Sequence, residues 1–271
     1  MDRRKIENII IVILVLLNVF LLAVVISDHA QARRSSRETE KTVTALLNDN
    51  GISVSADAKL LQNVPAVCTV TRDFTREAEQ MKALFGSSSV EDLGGSIRFY
   101  RSEHGQAILR GTGEMDLLLT GGSNSLKGDR GKTAENFMKT AGVATGFWRD
   151  VPGEERTEGC CLWDGMPVYN ARLVCDFSGE SLFMVTGTML FSKEKERSTE
   201  NVMDAVSVLM RFVEIVRSEG FICSRLDALS PGYLMDVTVS GESTLTPVWQ
   251  IETDTGSLYI NALSGKTETV P

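Results

Sequence analysis

The residues best suited to covalent or metal chemistry are the cysteines and histidines. The chain has five cysteines and two histidines: Cys68, Cys160, Cys161, Cys175, Cys223, His29 and His104. Because the number of cysteines is odd and their spacing is irregular, they match neither a disulfide framework nor the CxxC spacing of a zinc site. We interpret them as small buried hydrophobic residues; a disulfide between Cys175 and either Cys160 or Cys161 is the alternative. A metal site built from histidines is not expected.

Motifs that identify the common enzyme classes do not occur in the sequence. GxSxG, HExxH, the P-loop and the dinucleotide-binding fingerprint are all missing. His104 precedes a turn glycine, which favours a solvent-exposed loop over a general base. Acidic neighbours such as Glu91 and Asp92 are expected on solvated surfaces. The sequence therefore predicts a protein that is not an enzyme, with no catalytic residues, metal or cofactor; an enzyme built on acids around His104 is the weakest alternative.

Three aromatic residues lie on predicted strands: Tyr169, Trp249 and Tyr259. Alternation along a strand places Trp249 and Ile251 on one face of the sheet and Val248 and Gln250 on the other. Core packing is the favoured interpretation of these aromatic residues. The alternative is that they line a binding groove on the strand faces, which would make the protein a ligand-binding or peptide-binding module.

The charge is distributed unevenly along the chain. The 271 residues carry a formal net charge of −8 and 42% are hydrophobic, a globular composition. Residues 1–32 contain three basic and three acidic side chains, so the whole net charge belongs to residues 33–271. An acidic body of this kind lacks the basic patch or stripe of a nucleic-acid-binding surface. We therefore expect no nucleic-acid partner.

Residues 9–26, IIIVILVLLNVFLLAVVI, form an uncharged run of 18 residues. As a helix the run would be about 27 Å long, close to the thickness of the hydrocarbon core of a bilayer. A cleaved secretory signal is the alternative, but hydrophobic regions of signals are shorter, roughly 7–15 residues. We predict an uncleaved membrane span, with residues 1–8 as a cytoplasmic tail and the rest of the chain outside the cell.

The pattern after the span predicts an α+β fold. Residues 27–37 are a polar neck, and a helix follows from Glu38 to Asn50. Three units of a helix followed by strand hairpins come next, with helices predicted at Thr75–Phe85, Thr133–Ala141 and Thr199–Ser218. Thr133 is the expected N-cap of the second helix, and the EKER run at 194–197 is the expected linker to the third. We divide the body into an N-terminal lobe, 38–130, and a C-terminal lobe, 131–271, each a helix packed on an antiparallel sheet.

Four stretches of the chain together carry a resemblance to a known family. They are the basic tail leading into IIIVILVLLNVFLL, the helix end LLNDNGISV, the hairpin start at Met166–Tyr169, and the segment from Leu229–Tyr233 through LTPVWQIETDTGSLYINALSGKTE. In these stretches the chain resembles the YycI/YycH family, and the shorter YycI type more closely, and order and length match over nearly the whole chain. Members of this family are single-pass membrane proteins that regulate the cell-wall sensor histidine kinase of Gram-positive bacteria.

The resemblance implies a function without catalysis. It implies that the body lies outside the membrane, that the partners are a sensor histidine kinase and a related single-pass regulator, and that the span is part of the contact. Asn18 is the tenth residue of the span and lies near the midplane. An interhelical hydrogen bond from its amide would contribute about 0.5–2 kcal/mol. We predict that Asn18 contacts a partner helix; a bond to its own backbone is the alternative.

Overall fold

The structure, a computed structural model, describes residues 38–60, 62–120, 128–190, 192–198, 201–237 and 242–270. These residues form four helices and fifteen strands, which confirms the α+β prediction. Among the described helices, none is long and apolar enough to cross a membrane. The predicted span at 9–26, its residue Asn18 and the neck at 27–37 all lie outside the described residues, so they stay predictions.

The elements alternate between single helices and antiparallel hairpins. The helices are α1 (38–49), α2 (Phe74–Phe85), α3 (Arg130–Thr140) and α4 (Ala205–Ser218). The strands are β1 (Ser53–Val54), β2 (Val67–Arg72), β3 (Ser89–Gly94), β4 (Ile97–Ser102), β5 (Gly105–Leu109), β6 (Glu114–Leu119), β7 (Thr145–Asp150), β8 (Arg156–Trp163), β9 (Met166–Ser178), β10 (Ser181–Thr188), β11 (Ser192–Ser198), β12 (Arg225–Val237), β13 (Glu242–Thr253), β14 (Gly256–Asn261) and β15 (Thr267–Glu268).

The strands form one continuous sheet of fifteen strands, in two parts that we call the first and the second sheet. The first sheet contains β1, β2 and β11 to β15, and β13 lies near its centre between β12 and both β2 and β14. The second sheet contains β3 to β10, with β9 between β8 and β10. A parallel bridge between Val168 on β9 and Tyr233 on β12 joins the two sheets. The junction therefore depends on β9, which belongs to one sheet and touches the other.

Each sheet buries one face under helices. In the first sheet, Leu47 of α1 and Phe212 of α4 pack with Trp249 in one hydrophobic cluster. In the second sheet, Met81 of α2 and Met138 of α3 pack with Leu117 in another. The residues that alternate with the buried ones on the second sheet, such as Ile108, Val174 and Thr186, are half-buried. That face is therefore only partly covered by the described residues.

Aspartates determine where two of the predicted helices begin. Asp129, not Thr133, is the N-cap of α3, because its side chain accepts a hydrogen bond from the backbone N–H of Lys132. Helix α4 begins at Ala205 instead of Thr199, because Asp204 caps it through the N–H of Ser207. A carboxylate at the N-cap satisfies an otherwise free backbone donor and also interacts favourably with the helix dipole.

The EKER run is a strand and not a linker. Residues 194–197 lie within β11, which pairs with β2 at the edge of the first sheet. Residues 193 to 197 are exposed on both faces of this strand. The strand therefore lacks the alternation of apolar and polar residues that would have predicted it from the sequence. Charged side chains on an edge strand also discourage pairing with a strand of another molecule.

The division of the body at residue 130 stays a prediction. The hydrophobic cluster around Trp249 combines residues from both predicted lobes, including Val43 and Leu60 with Val208 and Ile251. Helices α1 and α4 both contribute to this cluster, and the short strand β1 runs parallel to the start of β12.

Candidate ligand-binding cleft

A cleft of about 280 Å³ lies near the junction of the two sheets and is lined by residues from both. We call it the aromatic cleft and define it by three aromatic and four charged residues: Phe147, Tyr169, Tyr259, Arg149, Glu158, Arg172 and Glu252. One wall belongs to the second sheet and the other to the first. Because most lining residues lie on strands, their side chains are positioned by the strand backbone and not by loops.

Strand register sets the composition of each wall. On the second sheet, Arg149 of β7 lies directly opposite Glu158 of β8, and Cys160 of β8 lies opposite Arg172 of β9. On the first sheet, Gln250 of β13 lies opposite Tyr259 of β14. Residues two apart on a strand share a face, so Glu252 lies beside Gln250 on the same wall.

Two tyrosines form the apolar centre of the cleft. The rings of Tyr169 and Tyr259 meet edge to face with their centroids 5.1 Å apart. The Tyr169 hydroxyl donates to the backbone oxygen of Ser230 at 3.2 Å, and the Gln250 amide donates to the Tyr259 hydroxyl at 3.1 Å. Burial raises the pKa of both phenols, and the nearby charge of Glu252 raises it further. Both side chains are therefore neutral and oriented by hydrogen bonds.

The position of Tyr169 depends on two features of the junction. The side-chain amide of Asn170 donates to the carbonyl of Met235 and accepts from its N–H, both at 2.8 Å, in the way that a paired strand would. Gly232 on β12 has no side chain, and a Cβ there would lie 2.5 Å from the Tyr169 ring and 2.7 Å from the carbonyl of Pro167. The glycine therefore makes room for Tyr169 to pack closely against β12.

Phe147 is held at the cleft by an irregularity in β7. The pairing of β7 with β8 shifts between Gly146 and Arg149, which is the mark of a β-bulge. Phe147 in this bulge has φ 58° and its side chain is 62% exposed. Positive φ is rare for a bulky residue and costs about 1–3 kcal/mol. Bulges are common beside binding sites because they redirect a side chain, and here the redirected side chain is an aromatic one.

The four charged side chains of the cleft are not paired with one another. Among the described residues, none of Arg149, Glu158, Arg172 and Glu252 forms an ion pair within 4.0 Å. Arg156, also on β8, behaves differently, because its Nε donates to Asp176 Oδ1 at 2.7 Å. The charges in the cleft are therefore available to a bound molecule, whereas the neighbouring pair satisfies itself.

Cys160 lines the cleft, and its thiol is expected to react slowly. It is 8% exposed, and burial raises its pKa to about 11, with Arg172 acting weakly in the opposite direction. Since the thiolate is the reactive form, we expect alkylation at pH 8 to be about 100-fold slower than for a thiol of ordinary pKa. Mass spectrometry after iodoacetamide treatment, resolving Cys160 from Cys161, measures the rate with glutathione as the reference. Labelling as fast as glutathione would contradict this assignment.

The structure brings together two of the three aromatic residues predicted to form a binding face. Tyr169 and Tyr259 meet in the cleft, although 90 positions separate them in the sequence. Trp249 does not join them: it is fully buried, and its Nε1 donates to the carbonyl of Met203 at 3.1 Å. Its side chain points to the opposite face of the first sheet, as the alternation with Gln250 requires. Trp249 is a core residue and not a binding residue.

The remaining candidates for chemistry stay apart. All five cysteines are free thiols, so neither Cys160 nor Cys161 is bonded to Cys175. His104 lies in the turn between β4 and β5 with a side chain 59% exposed. In the described part of the chain, no three His, Cys, Asp or Glu side chains are grouped as a metal site would need.

Comparisons with known proteins find distant structural neighbours. No protein-family model and no curated protein matches the chain. An uncharacterized protein from Eubacterium rectale is 10% identical, with 81% of this chain and 90% of that chain covered and a TM-score of 0.46. The Bacillus megaterium YpeB C-terminal domain is 11% identical, with 73% and 95% covered and a TM-score of 0.38. Likenesses this weak carry no argument about function, and they do not confirm the resemblance to YycI and YycH.

Proposed function

We propose that this chain is a non-enzymatic, membrane-anchored regulatory protein whose body binds a ligand in the aromatic cleft. In this proposal residues 9–26 cross the cell membrane once, residues 1–8 lie in the cytoplasm and the body lies outside. The span contacts a sensor histidine kinase and a related single-pass regulator. Ligand binding to the body then modulates the kinase through the span.

The single observation that supports binding is the aromatic cleft itself. Ligand sites are typically concave, lined mainly by apolar and aromatic groups, and furnished with a few polar groups that fix orientation. The cleft is concave and combines three aromatic residues, among them exposed Phe147, with four charged ones, and Tyr169 and Tyr259 are fixed by hydrogen bonds. Strain at Phe147 adds support, because unfavourable backbone conformations concentrate at functional sites.

The sequence supports the regulatory part of the proposal. The uncharged run at 9–26 is long enough to cross a bilayer, and the four stretches that resemble YycI and YycH extend from this run to the end of the chain. Buried apolar helices gain little from associating in lipid, so a polar residue such as Asn18 is one of the few available sources of specific contact. The span is therefore the segment most suited to transmit a signal.

Replacing Asn18 with leucine is expected to weaken partner association while leaving membrane insertion unchanged. Loss of one interhelical hydrogen bond should lower the association constant by about 2–30-fold. The measurement is energy transfer between labelled full chain and labelled kinase in membranes of stated lipid composition. Val19→Leu in the same span is the matched control. Equal association of wild type, Asn18→Leu and a chain with residues 9–26 replaced by an unrelated apolar helix would remove the span from the proposal.

A further inference from the structure

The two walls of the aromatic cleft carry opposite net charge. The wall from the second sheet contributes Arg149 and Arg172 against one acid, Glu158, and is therefore positive. The wall from the first sheet contributes Glu252 and no basic residue, and is therefore negative. A bound molecule that spans the cleft meets a cationic surface at one side and an anionic surface at the other.

Neither wall neutralises itself. Arg149 and Glu158 lie opposite each other across the strand pair, yet no ion pair within 4.0 Å joins them or involves Arg172 or Glu252 among the described residues. Arg149, Glu158 and Arg172 are exposed and Glu252 is half-buried, so each can reach a charged group of a bound molecule. The open charges therefore favour a ligand that itself carries both signs.

The aromatic residues determine what lies between the charges. Tyr169 and Tyr259 present an edge-to-face pair at the centre, and Phe147 stands exposed at the bulge. Aromatic surfaces favour an apolar or aromatic group, and the electron-rich face of a ring also favours an ammonium group. The volume of about 280 Å³ lies near the lower end for small-molecule sites, so the ligand is small.

We propose that the aromatic cleft binds a zwitterionic ligand of dipeptide size with an apolar side chain. Its carboxylate lies at Arg172 and Arg149, its ammonium group lies at Glu252, and its side chain packs against Phe147, Tyr169 and Tyr259. This assignment rests on the proposed function, because it names the class of ligand for the same cleft. It makes Arg172 and Glu252 the residues that select the ligand by charge.

Calorimetric titration of the full chain in detergent micelles with four forms of alanyl-phenylalanine tests this assignment. The forms are the zwitterion, the N-acetyl form, the C-terminal amide and the form capped at both ends. Each cap should lower affinity about 10–100-fold, the contribution of a charge-assisted hydrogen bond. Arg172→Gln should lower affinity for the zwitterion by the same factor and leave binding of the amide unchanged. Glu252→Gln should act in the same way toward the N-acetyl form.

Matched substitutions elsewhere on the strands provide the controls. Arg101→Gln on β4 and Glu91→Gln on β3 remove the same charges from exposed positions outside the cleft, and both should leave every affinity unchanged. If the doubly capped form binds as tightly as the zwitterion, charge selection is overturned while binding in the cleft stands. If no form binds at millimolar concentration, the inference is overturned and the proposed function loses its main support.

Discussion

Replacing Glu77 with alanine is expected to lower the free energy of unfolding by about 3–5 kcal/mol. Glu77 on α2 is fully buried, and its Oε2 lies 2.6 Å from Nε of Arg72 on β2. Its Oε1 accepts a hydrogen bond from the Tyr100 hydroxyl at 2.8 Å and lies 3.9 Å from Nη1 of Arg98. Removing the carboxylate leaves the Arg72 guanidinium, whose side chain is 10% exposed, without its counter-charge. Removing one partner of such a pair destabilises more than replacing both.

Urea unfolding of the full chain, followed by far-ultraviolet circular dichroism, measures this change. In a thermal scan followed by the same signal, the melting temperature should fall by about 10 °C for a body of this size. Glu79→Ala is the matched control, because Glu79 is exposed on the same helix and should change stability by less than about 0.5 kcal/mol. Equal stability of the Glu77→Ala and Glu79→Ala variants would show that the buried network does not stabilise the fold.

Replacing Gly232 with alanine is expected to abolish most ligand binding, with a loss of at least about tenfold in affinity. The new Cβ would overlap the Tyr169 ring at 2.5 Å and the Pro167 carbonyl at 2.7 Å. The start of β9 and the Tyr169 ring must then move away from β12, which alters the centre of the cleft. Overpacking of this kind also costs about 1–3 kcal/mol of stability, so the variant should still fold.

Gly146→Ala is the control for this substitution. Gly146 lies next to Phe147, but a Cβ there would make only ordinary contact with Leu162, at 3.4 Å. Calorimetric titration with the zwitterionic dipeptide should therefore give wild-type affinity for Gly146→Ala and greatly reduced affinity for Gly232→Ala. If a folded Gly232→Ala variant kept full affinity, ligand binding would not depend on the position of Tyr169.

The elements of this fold follow from local sequence patterns, whereas the cleft does not. Helical spacing of apolar residues predicted α2 as Thr75–Phe85, within one residue of the observed start at Phe74. Alternation placed Tyr169 and Tyr259 on strands, but their contact depends on the bridge between β9 and β12, which no local pattern encodes. Phe147 was missed because its bulge exists only through the pairing of β7 with β8.

The sequence also does not reveal which charged residues are functional or buried. With 36 acids in the chain, nothing in the sequence distinguishes Glu252 in the cleft or Glu77 in the core from acids on solvated surfaces. Glu77 is buried because Arg72 and Tyr100 reach it from two different strands. The EKER run is a case in which local composition misleads. Its charged residues are typical of a linker, but in the fold they form a strand because β11 pairs with the edge of β2.

Fluorine NMR of the full chain labelled with 3-fluorotyrosine tests the ligand-binding claim most directly. The chain has four tyrosines: Tyr169 and Tyr259 lie in the cleft, while Tyr100 and Tyr233 are buried in the core and serve as internal references. During titration with the zwitterionic dipeptide, the resonances of Tyr169 and Tyr259 should shift together and saturate, and those of Tyr100 and Tyr233 should stay in place. Unchanged resonances of Tyr169 and Tyr259, or equal shifts of all four, would contradict binding in the aromatic cleft.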